Sequence, residues 1–315
     1  MELKVDILGM QKIVPHLWFD TQAKEASEFY VSVFGQDSKI NSINVIKDTP
    51  SGDCDIVSFK ILGLDLMAIS AGPYFKINPS ISFMVNFDPS QDEKAKEKID
   101  EVWQKLIDGG KALMEIGKYP FSERYGWVED KFGVSWQLIL TNPEGEKRPK
   151  IMPSMLFVGD VCGKAEEASN YYISLFSAKG GNSKRGAIAK YPAGMEPDKE
   201  GSIMFTDFTL AGQWFVAMDS AREHKFKFSE AVSFIVNCES QEEVDYFWEK
   251  LSKVPEAEQC GWLKDQYGLS WQIVPTAMNE MLGKGTSEQK QRVTKAFLQM
   301  KKFDIKKLEQ AFKGE

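Results

Sequence analysis

Histidine and cysteine are scarce in this 315-residue chain. There are two histidines, His16 and His224, each of a type that can ligate a metal or move a proton near neutral pH. The four cysteines, Cys54, Cys162, Cys238 and Cys260, lie far apart with no CxxC pair. That spacing builds neither a local zinc site nor a thioredoxin-like motif, and the thiols read as small apolar residues in a reducing compartment. Two further candidates come as a pair, Trp136-Gln137 and Trp271-Gln272. Neighbouring side chains on a strand point to opposite faces, so one member of each pair faces the helices and the other an open side, where a carboxamide can both donate and accept.

These pairs belong to a longer repetition. GWVEDKFGVSWQ at Gly126–Gln137 returns as GWLKDQYGLSWQ at Gly261–Gln272, with seven of twelve residues identical. IVPHLWF from Ile13 is answered by IMPSMLF from Ile151, AKEASEFYVSVF from Ala23 by AEEASNYYISLF from Ala165, and SFMVN from Ser82 by SFIVN from Ser233. The matches fall in the same order in both halves. A period near 140 residues far exceeds the roughly 20–50 of solenoid repeats, so each copy has the size of a domain.

The elements that must position these residues follow from periodicity. Each half opens with a short apolar run read as a strand, Ile13–Phe19 or Ile151–Val158, and then a helix. In the first copy Ala23, Ala26, Phe29, Tyr30, Val33 and Phe34 recur at helical spacing until Gly35; Ala165, Ala168, Tyr171, Tyr172, Leu175 and Phe176 repeat the stripe. Strands are expected near 39–46, 55–61 and 64–70, with Pro50-Ser51-Gly52 as a turn. The order then restarts at 81–86, with a helix through Trp103 and strands near 112–116, 126–129 and 135–140. Each half is thus two strand-helix-strand-strand-strand modules. Beyond Pro275, Thr286 and Asp304 can cap two helices that form a packing arm.

Composition bounds the function. With 43% hydrophobic and 12% aromatic residues the chain can fill two cores, and its net charge of −7 without a basic cluster outside the C-terminal lysines argues against nucleic acid. No apolar run reaches a membrane span and Met1–Gln11 lacks a signal-peptide pattern, so the expected location is cytoplasmic, with no membrane partner.

Four such modules in series, with IVPHLWFDTQAKEASEFYVSVFG in the first half and QCGWLKDQYGLSWQIVP in the second, resemble the vicinal oxygen chelate superfamily of glyoxalase I, bleomycin-resistance proteins and extradiol dioxygenases. Its PhnB-like branch, sometimes labelled 3-demethylubiquinone methyltransferase, is the nearest in appearance, and the tail from Gln291 shares the likeness. The resemblance implies an α+β fold: a tandem duplication of a glyoxalase-like domain, each domain two βαβββ modules forming an open, cup-shaped mixed sheet, plus a C-terminal helical tail. The expected domains are 1–146 and 147–278, with the tail at 279–315.

In the metalloenzymes of that superfamily, ligands sit on the first and last strands of each module. Counting those positions gives His16, Met67, Ser80 and Gln137 in the first half, and Ser154, Val216 or Met218, Ala231 and Gln272 in the second. The first cup then offers His16 and Gln137 to a divalent metal, the one cofactor admitted; His16 can alternatively act as a general base or be a bonded strand residue beside Trp18. With His224 far from these positions, a two-histidine iron site is disfavoured. A methyltransferase would need a glycine-rich loop between a strand and a helix, whereas Lys179-Gly180-Gly181-Asn182 follows a helix. The function expected is binding of a small organic molecule in the first cup, lined by His16, Trp18, Ser80 and Gln137, with Ser154 and Gln272 in the second. A metal-dependent isomerase, lyase or oxygenase and a non-catalytic assembly platform are the alternatives. The two fused halves imply a monomer by internal pairing, or else a homodimer.

Overall fold

The computed structural model describes residues 10–49 and 52–315; the turn expected at Pro50-Ser51 and most of Met1–Gln11 lie outside them. The first module is β1 (Ile13–Phe19), α1 (Ala23–Phe34), β2 (Lys39–Thr49), β3 (Gly52–Ile61) and β4 (Leu64–Ser70). The second is β5 (Ile81–Phe87), α2 (Ala95–Ile107), β6 (Lys111–Tyr119), β7 (Ser122–Glu129) and β8 (Ser135–Leu140). The third is β9 (Ile151–Phe157), α3 (Ala165–Ser177), β10 (Lys184–Lys190), β11 (Ile203–Leu210) and β12 (Gln213–Asp219). The fourth is shorter: β13 (Val232–Cys238), α4 (Gln241–Leu251), β14 (Trp262–Lys264) and β15 (Ser270–Pro275). Three tail helices follow, α5 (Thr276–Lys284), α6 (Ser287–Phe297) and α7 (Ile305–Lys313).

The helical stripes fold as their spacing dictates. Ala23, Ala26, Tyr30, Val33 and Phe34 are buried along α1, and Gly35 ends the helix at φ 61°, where a residue without Cβ is unstrained. Ala165, Ala168, Tyr172, Leu175 and Phe176 do the same on α3.

Two mixed sheets result, in the orders β14-β15-β13-β1-β4-β3-β2 and β10-β11-β12-β9-β5-β8-β7-β6. Each is a pair of modules, but the grouping differs from the sequence order of the repeats. Modules two and three share the eight-stranded sheet because β5 pairs with β9 in antiparallel register, Ser82 opposite Ser154. The chain divides into two compact units, one of His16–Val232 with Tyr267–Leu269, the other of Ser233–Gln266, Ser270–Glu315 and the described residues up to Pro15. These units do not follow the repeat boundaries.

The repeated Gly-Trp-x-x-Asp-x-x-Gly-x-Ser-Trp-Gln segments act on the helix side of the sheets. Trp136 is fully buried against Tyr30, Phe34 and Phe83, at centroid distances of 5.1, 4.9 and 5.3 Å. Its indole N–H donates to Asp130 Oδ2 at 2.8 Å, while Asp130 Oδ1 accepts from the backbone N–H of Phe132 and Val134. Asp265 accepts from Trp271 at 2.9 Å in the other copy. A buried polar group must be paired, and this motif pairs several at once. The motif's glycines are also explained: a Cβ on Gly126 would lie 2.6 Å from the Trp103 ring, and one on Gly261 would lie 2.5 Å from Phe303.

The fourth module departs from the expected repeat. Residues equivalent to β6 form only a short 3-10 turn, Pro255–Ala257, and the tail takes over: the Cys260 and Gly261 N–H groups donate to the carbonyls of Met300 and Lys301 at 2.8 and 2.7 Å. The tail also contains a helix not expected from the sequence, α5, whose stripe is a single buried residue, Met278. Thr286 and Asp304 cap α6 and α7 as expected.

Candidate functional site

On the eight-stranded sheet, register fixes which side chains share the face opposite Trp136. Gln137 is level with Met84, Met84 with Met152, Ser82 with Ser154, and Ser154 with Val216. Met84, Met152 and Val216 form their own buried apolar cluster, with half-buried Ile139, Phe205, Trp214 and Met218 packed on it. Beside it lies a polar group: Tyr125 Oη donates to Gln137 Oε1 at 2.7 Å, and Gln137 Nε2 donates to Ser82 Oγ at 2.8 Å and to Ser154 Oγ at 3.4 Å. Burial pushes the Tyr125 pKa up, so its hydroxyl remains a donor. On the far side, Arg148 from the inter-repeat linker reaches Asp207 Oδ2 at 2.6 Å and stacks 4.0 Å above Trp214.

The expected site residues are divided between the two sheets. His16 and Trp18 lie on β1 and Gln272 on β15, in the seven-stranded sheet; Gln137 and Ser154 lie on β8 and β9, in the eight-stranded one. His16 and Gln137 therefore do not line one cup, because β5, the strand paired with β8, joins β9 and not β1. Ser80 precedes β5 and is held through its backbone, its N–H on Asn78 Oδ1 and its carbonyl accepting from Leu156 N–H. Gln272 Nε2 donates to Ser233 Oγ at 3.0 Å. The residues missed were thus Ser82 and Ser233, two positions beyond Ser80 and Ala231. Their signal was present, as the first letters of SFMVN and SFIVN.

The divalent metal allowed by the resemblance can be tested against the donors. His16 is buried opposite Met67, which is no partner for a hard cation. Burial pushes its pKa down to about 3, which favours the neutral imidazole. Gln137 is committed to Tyr125 and Ser82, and among the described residues no three His, Cys, Asp or Glu side chains converge as a metal-holding group. The donor set does not fit a resident divalent cation. Trp18 is likewise occupied, donating to the Gly72 carbonyl at 2.8 Å and meeting Phe75 edge-on. The other histidine, His224, follows β12 and contacts Ser220 Oγ at 2.9 Å. Gly180-Gly181 lies between α3 and β10, the reverse of the strand-to-helix order that a nucleoside cofactor loop requires.

No helix of the described residues is long and apolar enough to cross a membrane. No curated protein matches the chain. Among solved structures, a putative 3-demethylubiquinone-9 3-methyltransferase, PhnB protein, from Bacillus cereus is 37% identical over 42% of this chain and 100% of that one, with a TM-score of 0.37. Protein PA1353 from Pseudomonas aeruginosa is 23% identical over 42% of this chain and 98% of that one, with a TM-score of 0.34. Glyoxalase I from Zea mays is 11% identical but covers 86% of this chain and 97% of that one at a TM-score of 0.50, a likeness of fold. The family model described as 3-demethylubiquinone-9 3-methyltransferase matches residues 11–139 and again 149–274. Matched twice over most of its length, the chain belongs to this PhnB-like family as a tandem two-domain member, and shares with glyoxalase I the fold.

Proposed function

We propose that this chain binds a small, predominantly apolar organic molecule, without a metal, on the helix-free face of the eight-stranded sheet. The observation that carries the reading is the Met84, Met152 and Val216 cluster, set apart from the cores beneath the helices and bordered by half-buried Trp214, Phe205 and Met218. Ligand sites are mostly apolar with a few fixed polar groups, and methionine adapts its shape to what it contacts. Gln137, Tyr125 and Ser82 supply the fixed groups. The net charge of −7 favours a neutral or cationic ligand on this face. This face is built by the second and third modules, so it belongs to both repeats and not to the first alone.

The neutral fluorophore N-phenylnaphthylamine tests the reading. Saturable binding should be lost in Val216→Trp and in the milder Met218→Trp, with thermal unfolding monitored in parallel, and should survive both His16→Ala and a chelator. Binding that persists in folded Met218→Trp, or that disappears with His16→Ala or chelation, overturns it. Both sheets draw strands from both repeats of one chain, which supports a monomer by internal pairing. Light scattering at micromolar concentration distinguishes it from a homodimer.

A further inference from the structure

We infer that the chain carries a second ligand site, a basic cleft that takes a compact dianion. The cleft has a volume of about 590 Å³ and lies where the turn before β2, the β3–β4 turn and the start of β9 come together, away from the methionine cluster. Three ammonium groups line it, Lys39, Lys60 and Lys150, against one carboxylate, Asp37. That is a local inversion of charge in a chain of net −7.

Three observations point to an anion. First, Lys39 and Lys60 are directly opposite in the antiparallel register of β2 and β3, and like charges so placed repel and destabilise a sheet unless something is held between them. Second, the existing ion pairs are weak competitors. Lys150 meets Asp37 at 2.9 Å with both side chains more than half exposed, and Lys60 meets Asp65 at 3.3 Å with both about one-third exposed, so solvent screens each pair. Third, the backbone around the cleft is already ordered. Gly63 N–H donates to the Asp37 carbonyl at 3.3 Å, and Leu62 N–H donates to Ser38 Oγ at 3.2 Å, which leaves the Ser38 hydroxyl proton to donate to an incoming oxygen. A dianion small enough to touch two or three ammonium groups at once, a phosphoryl group or a short dicarboxylate, has the charge and size for the space.

The experiment uses the full chain at constant ionic strength, with chloride as the balancing ion and inorganic phosphate or succinate titrated by calorimetry and by thermal shift. Saturable binding of either probe is expected, weakened at least tenfold in Lys39→Gln/Lys60→Gln and in Lys150→Gln. The double variant should unfold no earlier than wild type without anion, because it also removes the opposed pair of charges. Saturation by phosphate alone identifies a phosphoryl ligand, and by succinate alone a dicarboxylate. A response no greater than that of matched chloride, or variants that respond as wild type does, overturns the site. Neither result bears on the methionine-lined face, whose probe is neutral.

Discussion

On the helix side of each sheet a buried aspartate receives the indole N–H of the repeated tryptophan, Asp130 from Trp136 at 2.8 Å and Asp265 from Trp271 at 2.9 Å. On the opposite side the two sheets diverge. The cross-strand row that reads Ser58, Met67 and His16 in the seven-stranded sheet reads Asp207, Val216 and Ser154 in the eight-stranded one. Substitution on the helix side would unpair buried polar atoms and empty a close-packed core, both costly. The helix-free side carries fewer such demands, and there the two copies differ, one carrying an aspartate answered by Arg148 and the other a buried histidine. The repeated letters on the helix side thus report scaffold, whereas on the helix-free side the repeated Gln137 and Ser82 stand beside unrepeated residues that set the two faces apart.

That contrast is broken most severely at Arg148. Its side chain is 10% exposed and Asp207 is 4% exposed, and Asp207 Oδ1 also accepts from Ala187 N–H. Arg148→Ala should cost about 3–5 kcal/mol in urea denaturation, because it leaves a buried carboxylate without its cation. Ser58→Ala, at the position that matches Asp207 in the other sheet, should cost under about 0.5 kcal/mol. Equal losses would show that both helix-free faces are equally committed to structure.

Asp130 comes next. Burial raises its pKa to about 6 from 3.8, against the opposing pull of the Trp136 and backbone donors. A carboxylate with a raised folded pKa takes up protons on folding, so its contribution to stability is complete below pH 3.8 and is lost as pH rises through about 6. Asp130→Ala should therefore destabilise the protein more in acid than at pH 7, the difference approaching about 3 kcal/mol over that window. A penalty independent of pH would overturn the assignment. In the other copy, Asp265→Ala should cost about 2 kcal/mol by stranding the buried Trp271 N–H.

The same division governs what could be read from the amino-acid sequence. The module order and the helical stripes were legible because periodicity is local: Tyr30 and Tyr172 recur at the same point of α1 and α3 and are both fully buried. The pairing of modules was not, since no local pattern says that β5 joins β9 and not β1; that choice rests on long-range register. Counting ligand positions along the repeat consequently groups His16 with Gln137, which belong to different sheets. An offset of two residues at Ser80 hid Ser82, although an even shift keeps the same face. Val216, left open against Met218, is settled by register, since it stands opposite Ser154 as Met67 stands opposite His16. Arg148 had no signal at all, because a linker residue acquires its meaning only where the chain folds back over Trp214.

The smallest expected effect probes the residue just before the repeated motif, which differs between the copies. Tyr125-Gly126-Trp127 corresponds to Cys260-Gly261-Trp262, so Gln137 has a phenol donating to its Oε1 and Gln272 has a thiol at the equivalent position. Cys260 Sγ is instead directed to the Leu298 carbonyl of the tail, at 3.7 Å. Tyr125→Phe keeps the ring packed between Tyr119 and Phe121 and removes only the hydroxyl, which should cost about 1 kcal/mol for the lost buried bond. Cys260→Ala gives up only a weak thiol donor and should cost less than about 0.5 kcal/mol. If the Gln137 carboxamide is the fixed polar group of the ligand face, Tyr125→Phe should also shift fluorophore affinity while Cys260→Ala does not. Tyr125→Phe with unchanged stability and unchanged affinity would show that the carboxamide is held by Ser82 and Ser154, and would move the polar edge of the site elsewhere on the sheet.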